Sequence, residues 1–290
     1  MSHVRIVTDS IADIPASFVN ELGITVVPCN VHFGTETLQD GINLTNEAFY
    51  ARLRTSPILP TTSQPAVGVF EETYRRLIEG VDGIVSIHIP AKASGTFNSA
   101  TTAARAVSET RIVVIDSTQI TMALGWIVIQ AAQAAHQGRS LDEVVAMVHE
   151  LIPRARLLAL LDTLEYAQRG GRIGKGAALM GTLLKVKPIV QFLNSELLPV
   201  ENVRTQRRAL QRLIELIAGY GPLDELAVIH ADAPDLAQEV RTMLDAIVPS
   251  GQRIPIAEAG PVLGAHAGPG AVGVAFLVKD SSSTAAKDRT

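Results

Sequence analysis

Residues 120–135 read Ile-Thr-Met-Ala-Leu-Gly-Trp-Ile-Val-Ile-Gln-Ala-Ala-Gln-Ala-Ala, without a single charge. A membrane-spanning helix needs about 20 mostly apolar residues. This run is shorter and is interrupted by Thr121, Gln130 and Gln133. It is therefore expected as a buried helix of a soluble protein, and the flanking segments must supply what buries it.

Toward the N-terminus, strands and helices alternate. Strands are expected at 4–8, 24–27, 30–33, 84–89 and 111–115, and helices at 15–22, 45–54, 68–79 and 95–107. Asp13 reads as an N-cap with Pro15 in the first turn, and Thr45 as a second cap. Toward the C-terminus, Gly138 ends the uncharged helix, and Ser140 with Glu143 makes a capping box for a helix to 151. Strands alternating with helices imply an α/β lobe with a mostly parallel sheet and helices on both faces.

The second half is patterned differently. Strands at 156–161 and 225–230, a hairpin of 188–192 with 196–203, and a last strand at 272–278 are joined by helical segments at 163–169, 179–184, 207–218 and 234–246. This reads as an α+β lobe. The boundary is placed near Pro153, giving lobes at 1–153 and 154–279. The polar tail 280–290 reads as disordered.

Composition excludes more than it proposes. The chain has 290 residues, net charge -4 and 47% hydrophobic residues, of which few are aromatic. An acidic balance argues against nucleic-acid binding, which favours basic surfaces. A lone cysteine, Cys29, allows no disulfide within the chain and has no metal-ligand cluster beside it. That suits a reducing, cytoplasmic setting.

Three glycine-containing segments invite a phosphate-binding reading. Gly268-Pro269-Gly270-Ala271-Val272-Gly273 has dinucleotide-loop spacing, but a β-like run follows it where a helix is required. Gly170 to Gly176 has the wrong spacing for a phosphate loop and reads as a tight turn. Ser94-Gly95-Thr96 lies where a strand passes into a helix, and helix N-termini hold anions. Thr61-Thr62-Ser63-Gln64-Pro65 is a second hydroxyl-rich turn before a helix. Both could converge on one anion beyond the strand ends. His266 stands in a glycine-rich loop, 264–270, with little packing reason to be there. Asp9-Ser10 and Asp116-Ser117 end strands and read as structural. Ser94 as nucleophile, His266 as base and Asp116 as orienter would make a hydrolase or acyltransferase, although no G-x-S-x-G elbow surrounds Ser94.

An ordered set of short motifs sharpens this. Thr8-Asp9-Ser10 with Asp13-Ile14-Pro15, Thr62-Ser63-Gln64-Pro65, Ser94-Gly95-Thr96, Asp116-Ser117, Asp162-Thr163-Leu164-Glu165-Tyr166, Gly170-Gly171-Arg172-Ile173, Lys187-Pro188, Val203-Arg204-Thr205 and Gly264-Ala265-His266-Ala267-Gly268-Pro269-Gly270 occur in this sequence. Together they resemble the DegV family, the fatty-acid-binding subunits of bacterial fatty acid kinase. The resemblance implies two lobes with a long-chain fatty acid, such as hexadecanoate, between them. It implies a carboxylate held at Thr62, Ser94 and His266, with Ser63, Gly95 and Thr96 adjoining. It implies a non-catalytic, lipid-binding role without cofactor or metal. A separate kinase subunit would use ATP to make the acyl phosphate for phospholipid synthesis, and Arg172 and Arg204 are its candidate docking residues. Exchange of the acid implies a transient membrane contact, although no basic amphipathic helix marks one. The sequence departs from the family before Ser94, where Pro90-Ala91-Lys92-Ala93 replaces a serine-rich turn and a leucine.

Overall fold

The computed structural model describes residues 3–108, 111–175, 186–249 and 251–280. The first half contains β1 (Val4–Asp9), α1 (Ala16–Glu21), β2 (Thr25–Val27), β3 (Asn30–Phe33), β4 (Glu36–Gln39), α2 (Asn46–Thr55) and β5 (Thr61–Ser63). It continues with α3 (Val67–Ile78), β6 (Gly83–His88), α4 (Thr96–Val107), β7 (Ile112–Asp116), α5 (Thr121–His136) and α6 (Leu141–Leu151). The chain then passes through a 3-10 turn, Ile152–Arg154, into β8 (Ala155–Leu160), α7 (Glu165–Arg169), β9 (Lys187–Leu193) and β10 (Glu196–Val203). It closes with α8 (Gln206–Ala218), β11 (Leu223–His230), α9 (Pro234–Asp245), β12 (Ile256–Glu258), α10 (Pro261–Ala267) and β13 (Val272–Val278).

The first sheet has strand order β2-β1-β6-β7, with every pair parallel. Parallel strands need helical crossovers that cover both faces. On one face Phe70 and Tyr74 of α3 and Ala100 and Ala103 of α4 pack with Val7 and Ile84. On the other, Ile6, Val85 and Ile87 pack with α5. The second sheet runs β10-β9-β8-β13-β11-β12 and is antiparallel except for β11 with β12. Leu158, Leu160, Val228, Val274 and Phe276 point toward α8 and α9. The alternate residues of the same strands, among them Leu157, Ile229 and Ala275, point toward α5.

α5 therefore lies between the two sheets. Thirteen of its sixteen residues are buried, which explains a helix apolar all round rather than along one stripe. Its glutamine Gln130 meets Glu225 of β11 at 2.9 Å, so one of its polar side chains is satisfied across the interface. Gly125 lets α5 approach the 3-10 turn Ser10–Ala12 closely, because a Cβ there would sit 2.9 Å from the Ala12 carbonyl oxygen. Among the described residues no helix is long and apolar enough to cross a membrane.

The α/β and α+β reading of the two halves agrees with this architecture, and the expected hairpin is β9–β10. Its turn residues Asn194 and Ser195 both have positive φ, as a two-residue hairpin turn that follows strand twist requires. Three local expectations are corrected. Thr61–Ser63 is a strand in a small sheet β4-β3-β5, with Thr62 opposite Val31, rather than a turn. Its three hydroxyl residues carry no apolar alternation, so the pairing is invisible locally. Asp13 is left-handed (φ 47°) and its carboxylate accepts from the Gly260 N–H, so it does not cap α1. His266 lies in α10 and not in a loop. The helix expected at 179–184 and the tail 281–290 lie outside the described residues.

Ile127 is fully buried in the middle of α5. Ile127→Ala is expected to lower unfolding stability by about 2–5 kcal/mol, read from urea denaturation.

Candidate functional site

The site is assembled by β5, α10 and the N-terminus of α4. Pairing with β3 fixes the pleat of β5, so successive side chains turn to opposite faces. Thr62 turns toward α10, where its Oγ1 lies 2.9 Å from His266 Nε2. Ser63 turns the other way, with its Oγ 2.9 Å from His32 Nε2.

The ends of α10 follow from Gly260-Pro261 and Gly268. Proline suits the first turn of a helix, and Gly268 takes the positive φ (73°) that ends it. That asymmetry was a legible signal that 264–270 begins inside a helix. Its glycines serve close packing rather than flexibility. A Cβ on Gly264 would come within 2.6 Å of the Tyr50 hydroxyl, and one on Gly268 within 2.2 Å of the Tyr166 ring. Gly170, after α7, lets the backbone reach His266, since a Cβ there would lie 2.2 Å from Nδ1.

His266 is thus clasped between α7, α10 and Thr62. Burial, and secondarily the Arg172 charge, push its pKa down to about 4, so the imidazole is neutral near pH 7. Nδ1 is buried and has no hydrogen-bond partner among the described residues. Arg172 itself is exposed, and its Nη1 donates to the Gly170 carbonyl oxygen.

Ser94 precedes α4. Its Oγ lies 2.8 Å from Thr96 Oγ1 and accepts from the Thr96 N–H at 3.3 Å. Thr96 is fully buried and does not line the cavity, so it orients Ser94. Gly95 is covered by the side chain of Gln64, whose Cδ would touch a Cβ there at 2.9 Å. Gln64 is a lining residue that the hydroxyl pattern did not single out. Arg204 is exposed at the end of β10, outside the lining of the cavity.

Thr62, Ser63, Ser94, Gly95, Arg172 and His266 all line one cavity between the two sheets. The space open to the centres of water molecules is about 180 Å³. One water needs roughly 10–15 Å³ by that measure. Its remaining walls are mainly apolar, from Ile11, Ile89, Leu161, Val190 and Phe192 among others, with Gln64, Thr121 and His230 as further polar members. A cavity with one polar end and aliphatic walls suits an amphipathic ligand with one anionic group.

The hydrolase alternative is not assembled. Ser94 is bonded to Thr96, His266 to Thr62, and both Asp116 oxygens accept backbone N–H groups, from Ala91 and Thr118. A Ser-His-Asp chain does exist elsewhere. Tyr74, Ser86, His88 and Asp9 are linked at 2.7–2.9 Å, but all are buried in the first lobe, where they tie β1 to β6 and α3. Asp9 also accepts from the Ile11 and Ile89 N–H groups, so it pins two cavity-lining residues from behind. The 268–273 glycines follow a helix and precede a strand, the reverse of the dinucleotide order.

Comparison with known proteins gives a consistent picture. A family model described as "Uncharacterised protein, DegV family" matches residues 3–279. The DegV domain-containing protein SCO2569 of Streptomyces coelicolor is 41% identical over 277 residues, covering 94% of this chain and 97% of that one. Among solved structures, a fatty-acid-binding DegV family protein from Thermus thermophilus superposes with TM-score 0.89 at 28% identity, covering 96% of this chain and all of the other. DegV from Bacillus subtilis, described as a fatty acid binding protein, superposes with TM-score 0.86 at 34% identity over 96% of this chain and all of the other.

Behind α10 lies a pair of buried carboxyls. A Cβ on Gly260 would stand 3.2 Å from oxygens of both Asp13 and Asp40, so the two converge on the start of α10. Burial is the main cause that pushes Asp13 up to about 8 and Asp40 up to about 6. Between about pH 4 and pH 8 the folded chain keeps a proton on Asp13 that the unfolded chain has released. Stability should therefore fall as pH rises through that window and level off above it. Asp13→Asn keeps an acceptor for Gly260 without the titration. Its melting temperature is expected to change less than that of the unaltered protein between pH 5 and pH 8.5, measured by differential scanning calorimetry.

Proposed function

The chain belongs to the DegV family, and from that premise we propose that it binds one long-chain fatty acid between its two sheets. The carboxylate lies among Thr62, Ser94 and His266, with Ser63, Gly95 and Thr96 shaping that end. A separate ATP-dependent kinase subunit then receives the presented carboxylate, which becomes an acyl phosphate for phospholipid synthesis. The observation that carries this reading is the hydroxyl–imidazole pair Thr62–His266 at the polar end of a mainly apolar cavity.

The energetics favour this division of labour. About fourteen buried methylenes at about 0.8 kcal/mol each give an upper figure of about 11 kcal/mol. Ordering the ligand consumes part of that. The tail thus supplies the affinity, and the polar end has only to offset carboxylate desolvation and fix orientation. A neutral histidine and two hydroxyls do so without cancelling the charge, as a bidentate arginine would. The carboxylate keeps its nucleophilicity toward a phosphoryl group. Arg172 at the rim and Arg204 further out are the exposed cations offered to the kinase. The role is that of a carrier in the cytoplasm, where ATP is available, and it requires transient contact with a membrane to exchange the acid.

Protein purified from a bacterial host is expected to retain about one fatty acid per chain by mass spectrometry of denatured extracts. Absence of retained acid, together with no binding on titration, would sink the reading. Thr62→Ala and Ser94→Ala are each expected to weaken binding by about tenfold or more, the loss of one hydrogen bond to a charged group. Arg204→Ala should leave binding unchanged and slow phosphorylation in a reconstituted kinase assay. Normal turnover there would remove its docking role.

A further inference from the structure

The floor of the cavity is a patch of the six-stranded sheet, and strand register sorts it into rows. Leu157 pairs with Phe192, and Phe192 with Leu197, so these three stand side by side on β8, β9 and β10. Directly paired residues share a face. Two residues along, about 7 Å away, Val190 pairs with Ala159, Ala159 with Gly273 and Gly273 with Ile229. Beyond them, Ala231 and Ala271, joined by a backbone hydrogen bond, continue toward α10. All of these residues line the cavity.

The rows differ in bulk. The middle row is narrow at its centre, where Ala159 and Gly273 stand. The first row is leucine, phenylalanine, leucine. In that same row Ala275 pairs with Leu157, and Ala227 with Ala275, yet neither lines the cavity, because α5 packs over them. The open space therefore crosses the sheet diagonally, from the corner by β11 and α10 to the corner by β9 and β10. The polar end lies beyond the row of Ala231 and Ala271, at the end of the sheet where β8 leaves it and β13 enters, since α10 ends shortly before Ala271 and its His266 abuts Gly170 just past α7. At the second corner the β9–β10 turn is tied to the first lobe by the Ser195 N–H donating to the Thr118 carbonyl oxygen at 3.2 Å.

We infer that Leu157, Phe192 and Leu197 form the stop against which the methyl end of the acyl chain rests, and that Ala159 and Gly273 form the gap through which it passes. The inference rests on the fatty-acid reading above and adds the dimension it leaves open, the length of chain accepted. Phe192 contributes most, being the largest side chain of the row and its middle member. Chains that stop short of the row leave part of it uncovered, and chains that overrun it must fold back or be excluded. Each two methylenes that find or lose room change relative affinity about tenfold.

The test is the fatty-acid profile that co-purifies from one bacterial host, measured by mass spectrometry for the unaltered protein, Phe192→Ala, Leu197→Ala and Ala159→Leu. Circular dichroism melting on each identifies any variant that fails to fold. Phe192→Ala and the half-buried Leu197→Ala should shift the profile toward chains longer by about two or more carbons, since a vacated side chain leaves space in a packed core. Ala159→Leu should shift it toward shorter chains. A stoichiometric fatty acid with the unaltered profile in every folded variant would overturn the stop while leaving the fatty-acid reading intact. No fatty acid in the unaltered protein would instead overturn the reading beneath it.

Discussion

The described structure is arranged around a helix that is buried on nearly every side. α5 presents aliphatic residues and alanines in all directions, so it cannot rest on one sheet and face water. Two sheets are needed, one from each half of the chain, and each has helices of its own on its outer face. The outer faces thus make separate cores, while the inner faces share one through α5. A cavity between the sheets is what remains where α5 does not reach. Its walls are aliphatic for the same reason that the helix is: both belong to the interior shared by the two lobes.

The polar end of the cavity is added to this frame by close backbone packing. α10 is bolted to the first lobe although it lies late in the chain. Tyr50 donates to the Ala259 carbonyl oxygen, Asp13 takes the Gly260 N–H, and Gly264 seats the helix against Phe49 and Tyr50. The result places His266 opposite Thr62 with little freedom for either. The cost is carried by Asp13 and Asp40, which are held out of water near one helix start. The cation nearest the polar end, Arg172, is turned outward, with its Nη1 donating to the Gly170 carbonyl oxygen, and its charge helps keep His266 neutral.

Much of this was legible in the sequence, for identifiable reasons. The uncharged run declared a buried helix, the β-α alternation gave the parallel sheet, and Ser140 with Glu143 marked a capping box that the structure forms. Thr62, Ser94 and His266 stood out as polar residues in odd places, and the structure brings all three to one cavity. What could not be read was long-range. β5 is a strand only because β3 pairs with it. Asp13 looks like a cap until Gly260, 247 residues away, claims its carboxylate. Gly264 and Gly268 suggested a loop, because local sequence does not distinguish a glycine needed for freedom from one needed for contact. Gln64 is not marked out as a lining residue, because an amide beside three hydroxyls carries no pattern of its own.

The position of β13 bears on how the molecule comes into being. It is the last strand in chain order among the described residues, yet it sits between β8 and β11 in the interior of the six-stranded sheet. Until it is in place, those two strands keep unpaired edges and the inner face of the second lobe has no continuous surface to offer α5. The second lobe cannot be finished piecemeal from its own N-terminus, and during synthesis the first lobe must wait with α5 uncovered on one side. Late, non-local pairing of this kind is slow and leaves apolar surface open to other chains while it is pending. The strand that completes the architecture is also the one that carries Gly273 into the cavity floor, so the binding space and the closed fold arrive in a single event.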